Sequence, residues 1–121
     1  MKLIAFIFIL LIAGCASTLP LPTIEDIELF RGSEPGVTLE SLQNARIVYT
    51  VKCSGCHGLY LPENYRPDEW PKIISGMSDK AKLSPNEFEK IRLYLTLYSI
   101  KNTASLPDSL LGKVGIELES N

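Results

Sequence analysis

The chain has 121 residues, 45% of them hydrophobic, and a formal net charge of −2. This length suits one small domain with tails. The mild acidity, without a basic cluster, excludes a typical nucleic-acid-binding protein. The chain has only three cysteines, two methionines and one histidine, so each possible sulfur or imidazole ligand can be considered individually.

The N-terminus has the organisation of an export signal. Lys2 provides a positive start, and an unbroken apolar run from Leu3 to Ala13 leads to Gly14 and Cys15. A charged start, a short apolar core and small residues are typical of a signal peptide. The run is too short for a transmembrane helix, which needs about 20 apolar residues. We therefore predict that residues 1–14 are removed.

The end of this leader, Ile12-Ala13-Gly14-Cys15, resembles the lipobox of bacterial lipoproteins. The resemblance implies cleavage before Cys15, a diacylglycerol on its thiol and an acylated amino terminus. Two or more acyl chains make a stable membrane anchor. It also implies the periplasmic side of a bacterial membrane, and Ala16 in place of Asp favours the outer membrane in a Gram-negative host. The alternative is an ordinary cleaved signal with an incidental cysteine.

Residues 15–37 are predicted to form a lipidated tether, because prolines and glycines interrupt the segment. These are Pro20, Pro22, Gly32, Pro35 and Gly36. Several apolar residues in the segment are able to dock on the domain as a turn or short helix: Ile24, Ile27, Leu29 and Phe30. Residues 38–101 are then predicted to form the domain, and residues 102–121 a C-terminal tail.

Helical patterns dominate the predicted domain. A first helix is expected to follow Thr38 as N-cap and to run to about Val51. A second is expected to follow Asp68 as N-cap, with Pro71 in its first turn, where proline is tolerated. Its apolar face repeats at helical spacing and comprises Trp70, Ile73, Ile74 and Met77.

The third helix has the clearest start, since Ser84-Pro85-Asn86-Glu87 forms a capping box with proline at the first helical position. We expect this helix to end near Asn102. Residues 58–67 are predicted to form a loop whose apolar members cover the functional site. The overall expectation is an all-α fold of about three helices.

The motif Cys53-Ser54-Gly55-Cys56-His57 reads C-x-x-C-H, the attachment signature of c-type haem. On a helical turn, residues three apart share a face, so both thiols can bond to the two vinyl groups of one haem. His57 then provides the proximal iron ligand. A backbone carbonyl near Pro62 is expected to accept the Nδ1–H of this histidine, because ligating histidines usually have such a partner.

Two other interpretations of the cysteine pair remain. A redox-active dithiol usually accompanies a βαβ pattern, and no such alternation of strands and helices is visible. A zinc site needs two further ligands, whereas the chain offers only Cys15 and no second histidine.

Met77 is the candidate sixth ligand of the iron. It is the only methionine after the predicted leader, and its soft thioether can ligate haem iron. A methionine on an apolar helix face is also a common core residue. Lys72, Lys80 or Lys82 are substitutes, and an open coordination position is a further alternative.

Residues 38–101 resemble a class I monohaem cytochrome c domain. The resemblance rests on a helix leading into Cys53–His57, a downstream Met77 and a C-terminal helix with Tyr94-Leu95. It implies a small fold wrapped around one covalent haem, with the first and last helices crossing near Tyr49 and Tyr94. Many members place their methionine in a loop, whereas Met77 is predicted at a helix end.

The function expected from these features is single-electron transfer by a membrane-anchored c-type cytochrome, which is not an enzyme. Its expected partners are a redox protein and, through the lipid, a membrane; no small-molecule substrate and no nucleic acid are expected. One alternative is an open-site haem protein, peroxidase-like or gas-sensing. Another is a haem relay subunit of a larger oxidoreductase.

Overall fold

The computed structural model describes residues 18–104. This part of the chain contains four α-helices, one short 3-10 helix and no β-strand: α1 (Ile24–Phe30), α2 (Leu39–Cys53), the 3-10 helix (Pro62–Asn64), α3 (Trp70–Ala81) and α4 (Pro85–Ala104). The all-α prediction is confirmed. The predicted leader, the lipidation of Cys15 and most of the predicted tail lie outside the described residues. Within residues 18–104, no helix is long and apolar enough to cross a membrane.

Helix α2 begins where the sequence predicted. The Thr38 hydroxyl accepts a hydrogen bond from the Ser41 amide at 3.1 Å, and the Thr38 amide donates to the Ser41 hydroxyl at 2.9 Å. This reciprocal capping satisfies backbone donors that the first turn leaves open. The helix continues to Cys53, two residues beyond the expected end, so the first cysteine of the motif is the last helical residue.

Helix α3 begins one residue later than expected, because Asp68 has another partner. The Asp68 carboxylate accepts bonds from the Arg66 guanidinium at 2.6 and 3.0 Å, and Glu69 takes the N-cap position. The helix ends at Ala81, followed by Lys82 in the left-handed conformation with φ 52°. Met77 therefore lies one turn inside the helix and not at its end.

Helix α4 confirms its predicted capping box. The Ser84 amide donates to the Glu87 carboxylate at 2.9 Å, and the Glu87 amide donates to the Ser84 hydroxyl at 3.3 Å. Its described part extends to Ala104, past the predicted end near Asn102.

The most extensive contact between elements joins α2 and α4. Tyr49 and Tyr94 are both buried in it, with ring centroids 6.2 Å apart, which confirms the expected packing of these two helices. Each fully buried apolar side chain contributes about 1.5–3 kcal/mol. The described core consists of Ile27, Phe30, Val37, Leu42, Ala45, Tyr49, Trp70, Ile74, Ile91, Tyr94, Leu95, Leu97 and Tyr98.

Residues 18–37 are packed on the domain, which differs from the tether predicted for this part of the chain. Ile27 and Phe30 of α1 are buried, and the Phe30 ring meets the Tyr98 ring edge-on at 5.3 Å. The Pro20 carbonyl accepts bonds from the Tyr94 hydroxyl at 2.6 Å and from the Arg46 guanidinium at 3.1 Å. Of the four apolar residues that interrupt the proline-rich pattern, Ile27 and Phe30 therefore dock the segment, whereas Ile24 and Leu29 are exposed.

A buried carboxylate joins α1 to α4. Asp26, 2% exposed, accepts hydrogen bonds from the Tyr98 hydroxyl at 2.6 Å, the Lys101 ammonium at 2.5 Å and the Thr23 amide at 3.0 Å. Burial by itself raises the pKa of Asp26, but the bonds from Lys101, Tyr98 and Thr23 outweigh it and hold the pKa below its usual value. The charged form of Asp26 therefore stabilises the fold.

We expect Asp26→Asn to lower the free energy of unfolding by about 2 kcal/mol at pH 7, because charge-assisted hydrogen bonds are lost. Since the folded pKa lies below the unfolded value, wild-type stability is full above about pH 4 and falls as the pH drops towards the folded pKa. The difference in the free energy of unfolding between Asp26→Asn and wild type should therefore become smaller as the pH falls over that range. Urea unfolding at several pH values measures this difference.

Asp79→Asn, at an exposed position of α3, is the control and should change stability little at any pH. A difference between Asp26→Asn and wild type that stays constant from pH 7 to pH 3 would contradict the role given to the Asp26 charge.

Candidate functional site

The C-x-x-C-H motif spans the end of α2 and the turn that follows. Cys53 is half-buried, whereas Cys56 and His57 are exposed, and both thiols are free. Partial burial, with a smaller effect of Cys56, raises the pKa of Cys53. A redox-active dithiol needs a lowered thiol pKa, and the raised pKa of Cys53 gives that interpretation no support.

The four residues predicted to bind haem line one cavity. Cys53, Cys56, His57 and Met77 surround a space of about 190 Å³, together with Lys80 and Ala81. Met77 and Ala81 are one turn apart on α3, so this face of the helix is directed at the motif. The structure thus brings together residues that are more than twenty positions apart in the chain.

A second cavity shares Cys53, His57, Met77 and Ala81 with the first and extends into the core. Its other walls are aromatic or aliphatic and come from α2, α3, α4 and the loops: Tyr49, Tyr60, Trp70, Ile74, Leu83, Ile91 and Leu95. Apolar walls of this kind suit the large hydrophobic face of a porphyrin and keep water away from its iron.

The hydrogen bond of His57 differs from the prediction. Its Nδ1 lies 2.7 Å from the carbonyl of Gly58, the next residue, and not near Pro62. Because a carbonyl only accepts, Nδ1 carries the proton, and the lone pair is on Nε2. The Pro62 carbonyl instead accepts the indole N–H of Trp70 at 3.0 Å. The sequence could not identify the Gly58 carbonyl as the partner of His57, because any backbone carbonyl oxygen can accept the Nδ1–H.

The loop after the motif is anchored to the site by aromatic residues. The Tyr49 hydroxyl donates to the Tyr60 carbonyl at 2.7 Å, and the Tyr60 ring lies 5.1 Å from the His57 ring. Tyr65 packs between Tyr60 and Trp70, with ring centroids at 5.5 and 5.0 Å. Of the loop residues expected to cover the site, Tyr60 therefore lines the second cavity, whereas Tyr65 contacts Tyr60 and Trp70 without lining either cavity.

Sequence reasoning did not assign Tyr49 or Trp70 to the site, because both follow helical apolar patterns that core packing explains equally well. It named Lys80 only as one of three lysines that could replace Met77 as an iron ligand. A zinc interpretation gains no support, because residues 18–104 hold no group of three or more His, Cys, Asp or Glu side chains able to bind a metal.

The donor set fits haem c. Two thiols three residues apart, an imidazole with a free Nε2 and a thioether all border the same apolar space. The thiols match the two vinyl groups of haem, and the nitrogen and sulfur donors match the axial positions of its iron.

Comparison with protein families agrees with this geometry. The family model described as dihaem cytochrome c matches residues 49–116, which is more than half of the chain. The chain belongs to the dihaem cytochrome c family. No curated protein and no solved structure matches it. The matched range contains the whole motif, α3 and α4 of this cytochrome c domain, whereas α1 lies outside it.

Membership implies a covalently attached haem c with iron and a role in electron transfer. The family description specifies two haems, whereas the sequence of this cytochrome contains one C-x-x-C-H motif and a single histidine. The expectation of a c-type cytochrome is therefore confirmed. The family match does not show that the protein is a class I monohaem cytochrome.

Proposed function

We propose that this chain carries single electrons through one covalently attached haem c. The observation that carries the proposal is the convergence of Cys53, Cys56, His57 and Met77 on one apolar cavity. When bound, haem c supplies reversible one-electron chemistry at its iron. The sequence has no second histidine to serve as a distal base, which favours electron transfer over an open-site haem enzyme.

Each residue of the site has a distinct task in this proposal. The Cys53 and Cys56 sulfurs form the two thioether bonds, and the His57 Nε2 is the proximal ligand. The Gly58 carbonyl, by accepting the Nδ1–H, holds the imidazole in one tautomer and orientation. Tyr49 fixes the loop that carries Tyr60, so the wall next to His57 keeps its position.

One haem per chain follows from the attachment chemistry. A second covalent haem would need a second pair of closely spaced cysteines and a second histidine. The only remaining cysteine is Cys15, and the sequence has no other histidine. We infer that this chain has a single haem, although its family description names two.

Protein produced with the haem-attachment machinery should contain one covalent haem. We expect Cys53→Ala or Cys56→Ala to lower covalent haem strongly, and the double variant to abolish it, because each thiol supplies one thioether bond. Haem staining after denaturing electrophoresis and the haem-to-protein ratio measure this. Cys15→Ser is the control and should keep the full amount. Absence of covalent haem in the wild type, or two haems per chain, would refute the proposal.

We further propose Met77 as the sixth ligand. It is half-buried on α3, and its side chain lines both cavities with His57. A thioether raises the reduction potential relative to a second histidine, which suits an electron carrier.

In the ferric protein, the weak red charge-transfer band of Met–iron ligation should disappear in Met77→Ala, and the reduction potential should fall. Ser78→Ala, a neighbouring change on the same helix, should keep the band. A high-spin spectrum in the wild type would instead indicate an open coordination position, and a low-spin spectrum without the band would indicate a lysine ligand.

The location of the cytochrome is also a proposal. An exported, lipid-anchored protein on the periplasmic side, with the outer membrane favoured in a Gram-negative host, fits the leader and Cys15. The expected partner is a redox protein that docks briefly, because transient electron-transfer interfaces are small.

Cys15→Ser should remove the labelling of the protein by radioactive palmitate, because the lipid is expected on the Cys15 thiol. Ser17→Ala controls for a change near the cleavage site and should keep the labelling. Labelling that persists in Cys15→Ser would count against lipidation of Cys15.

A further inference from the structure

The docked segment before α2 leaves very little free chain between Cys15 and the folded domain. The Leu19 side chain packs against the core, and the Pro20 carbonyl accepts two hydrogen bonds from the helices beneath it. Pro20 is five positions after Cys15, and five fully extended residues span at most about 18 Å. The free tether predicted for residues 15–37 would instead span up to about 80 Å.

This short connection restricts which surface of the domain can meet a membrane. A domain of this size has a radius of gyration of about 12 Å and is therefore about 30 Å across. A lipid on Cys15 would hold Pro20 within about 18 Å of the bilayer. The surface opposite Pro20 then cannot reach the bilayer, whereas the surface around Pro20 is held beside it.

Two apolar side chains project from the surface next to Pro20. Leu21 is 69% exposed and Ile24 is 61% exposed. Pro22 between them is buried, so the backbone is fixed on the domain while the two side chains stay in contact with solvent. Single exposed apolar residues are common on protein surfaces, and these two are distinguished by their position directly after the proposed anchor.

The charges of the segment indicate what kind of contact it can make with lipid. Residues 18–30 contain no lysine or arginine but three acidic residues, Glu25, Asp26 and Glu28. Attraction to anionic headgroups depends on basic residues, so it does not assist this segment. A contact between the segment and a bilayer therefore depends on the burial of apolar side chains.

We propose that Leu21 and Ile24 insert into the interfacial region of the bilayer to which Cys15 is anchored. At the boundary between headgroups and acyl chains, their apolar area is removed from water. The lipid holds the domain to the membrane, and the two side chains limit its rotation on the surface. The inference rests on the proposed lipid anchor and not on the haem.

The first test uses the full-length, acylated and haem-loaded protein in phosphatidylcholine vesicles that contain a phospholipid with a photoactivatable diazirine on its acyl chain. Irradiation should attach this lipid within residues 18–31, and digestion with mass spectrometry should place it at or beside Leu21 and Ile24. We expect the double variant Leu21→Ser and Ile24→Ser to lower the labelling of residues 18–31 about tenfold, because the apolar contact with the bilayer is lost.

Leu29→Ser is the matched control for this variant. Leu29 is 56% exposed and belongs to the same helix as Ile24, but it lies about 140° around the helix axis from Ile24. The Leu29→Ser protein should keep the labelling within about twofold of wild type. Both proteins should keep the palmitate on Cys15, because neither change is in the proposed cleavage site.

The second test changes the length of the connection and the salt concentration. Ten Gly and Ser residues inserted between Ser17 and Thr18 should lower the labelling of residues 18–31 about fivefold, because a longer flexible connection lowers the effective concentration of the segment at the bilayer. Raising the salt concentration tenfold should change the labelling less than about twofold, since an apolar contact is not screened.

Lipid labelling that is equal in the double variant and in Leu29→Ser would overturn the contact. Labelling at Val51, which is also 69% exposed, in place of residues 18–31 would overturn it as well, and so would labelling that is lost at high salt. A wild-type protein without palmitate on Cys15 would overturn the proposed anchor together with this inference, so the palmitate assay distinguishes the two failures.

Discussion

The packing of α2 against α4 determines where the C-x-x-C-H turn lies. Ala45 and Tyr49 are buried on one face of α2, and Cys53 follows Tyr49 by one further turn on that same face. The side of the helix that packs in the core therefore also directs the first thiol inward, towards α3. A change that rotated α2 would move the thiol away from Met77, so core packing and cofactor attachment depend on the same interface.

Helix α4 is the element against which most of the other elements pack. It contacts α2, α3 and the 3-10 helix, and Asp26 and Phe30 join α1 to it through Tyr98. A domain this small has limited apolar area to bury. The docked segment before α2 and the buried Asp26 network compensate in part, because they add contacts to Tyr98, two turns along α4 from the cavity-lining Ile91. The cavity at the site by itself costs packing contacts.

The chemistry of the site is divided between local and distant residues. Cys53, Cys56 and His57 lie in one five-residue motif, and the Gly58 carbonyl that orients the histidine is the next residue. The arrangement of these neighbouring residues depends little on the rest of the fold. Met77, Trp70 and Lys80 come from α3, and they line the cavities that adjoin the motif. The family match covers both groups, since it extends over residues 49–116.

The sequence by itself determined the features that depend on short-range contacts. The C-x-x-C-H motif, the Thr38 cap and the Ser84–Glu87 capping box each involve residues at most four positions apart, so their spacing is sufficient to identify them. Two further local contacts, that of Arg66 with Asp68 and that of His57 with the Gly58 carbonyl, were not identified by spacing, because other groups in the same segment could serve equally well. The tertiary structure decided the docking of α1 on α4 and the placement of Met77 and Lys80 beside the thiols. Those outcomes depend on which of several chemically equivalent groups is nearest in space, such as one lysine among several. Spacing along the chain carries no information about that distance, because the packing of α2, α3 and α4 sets it.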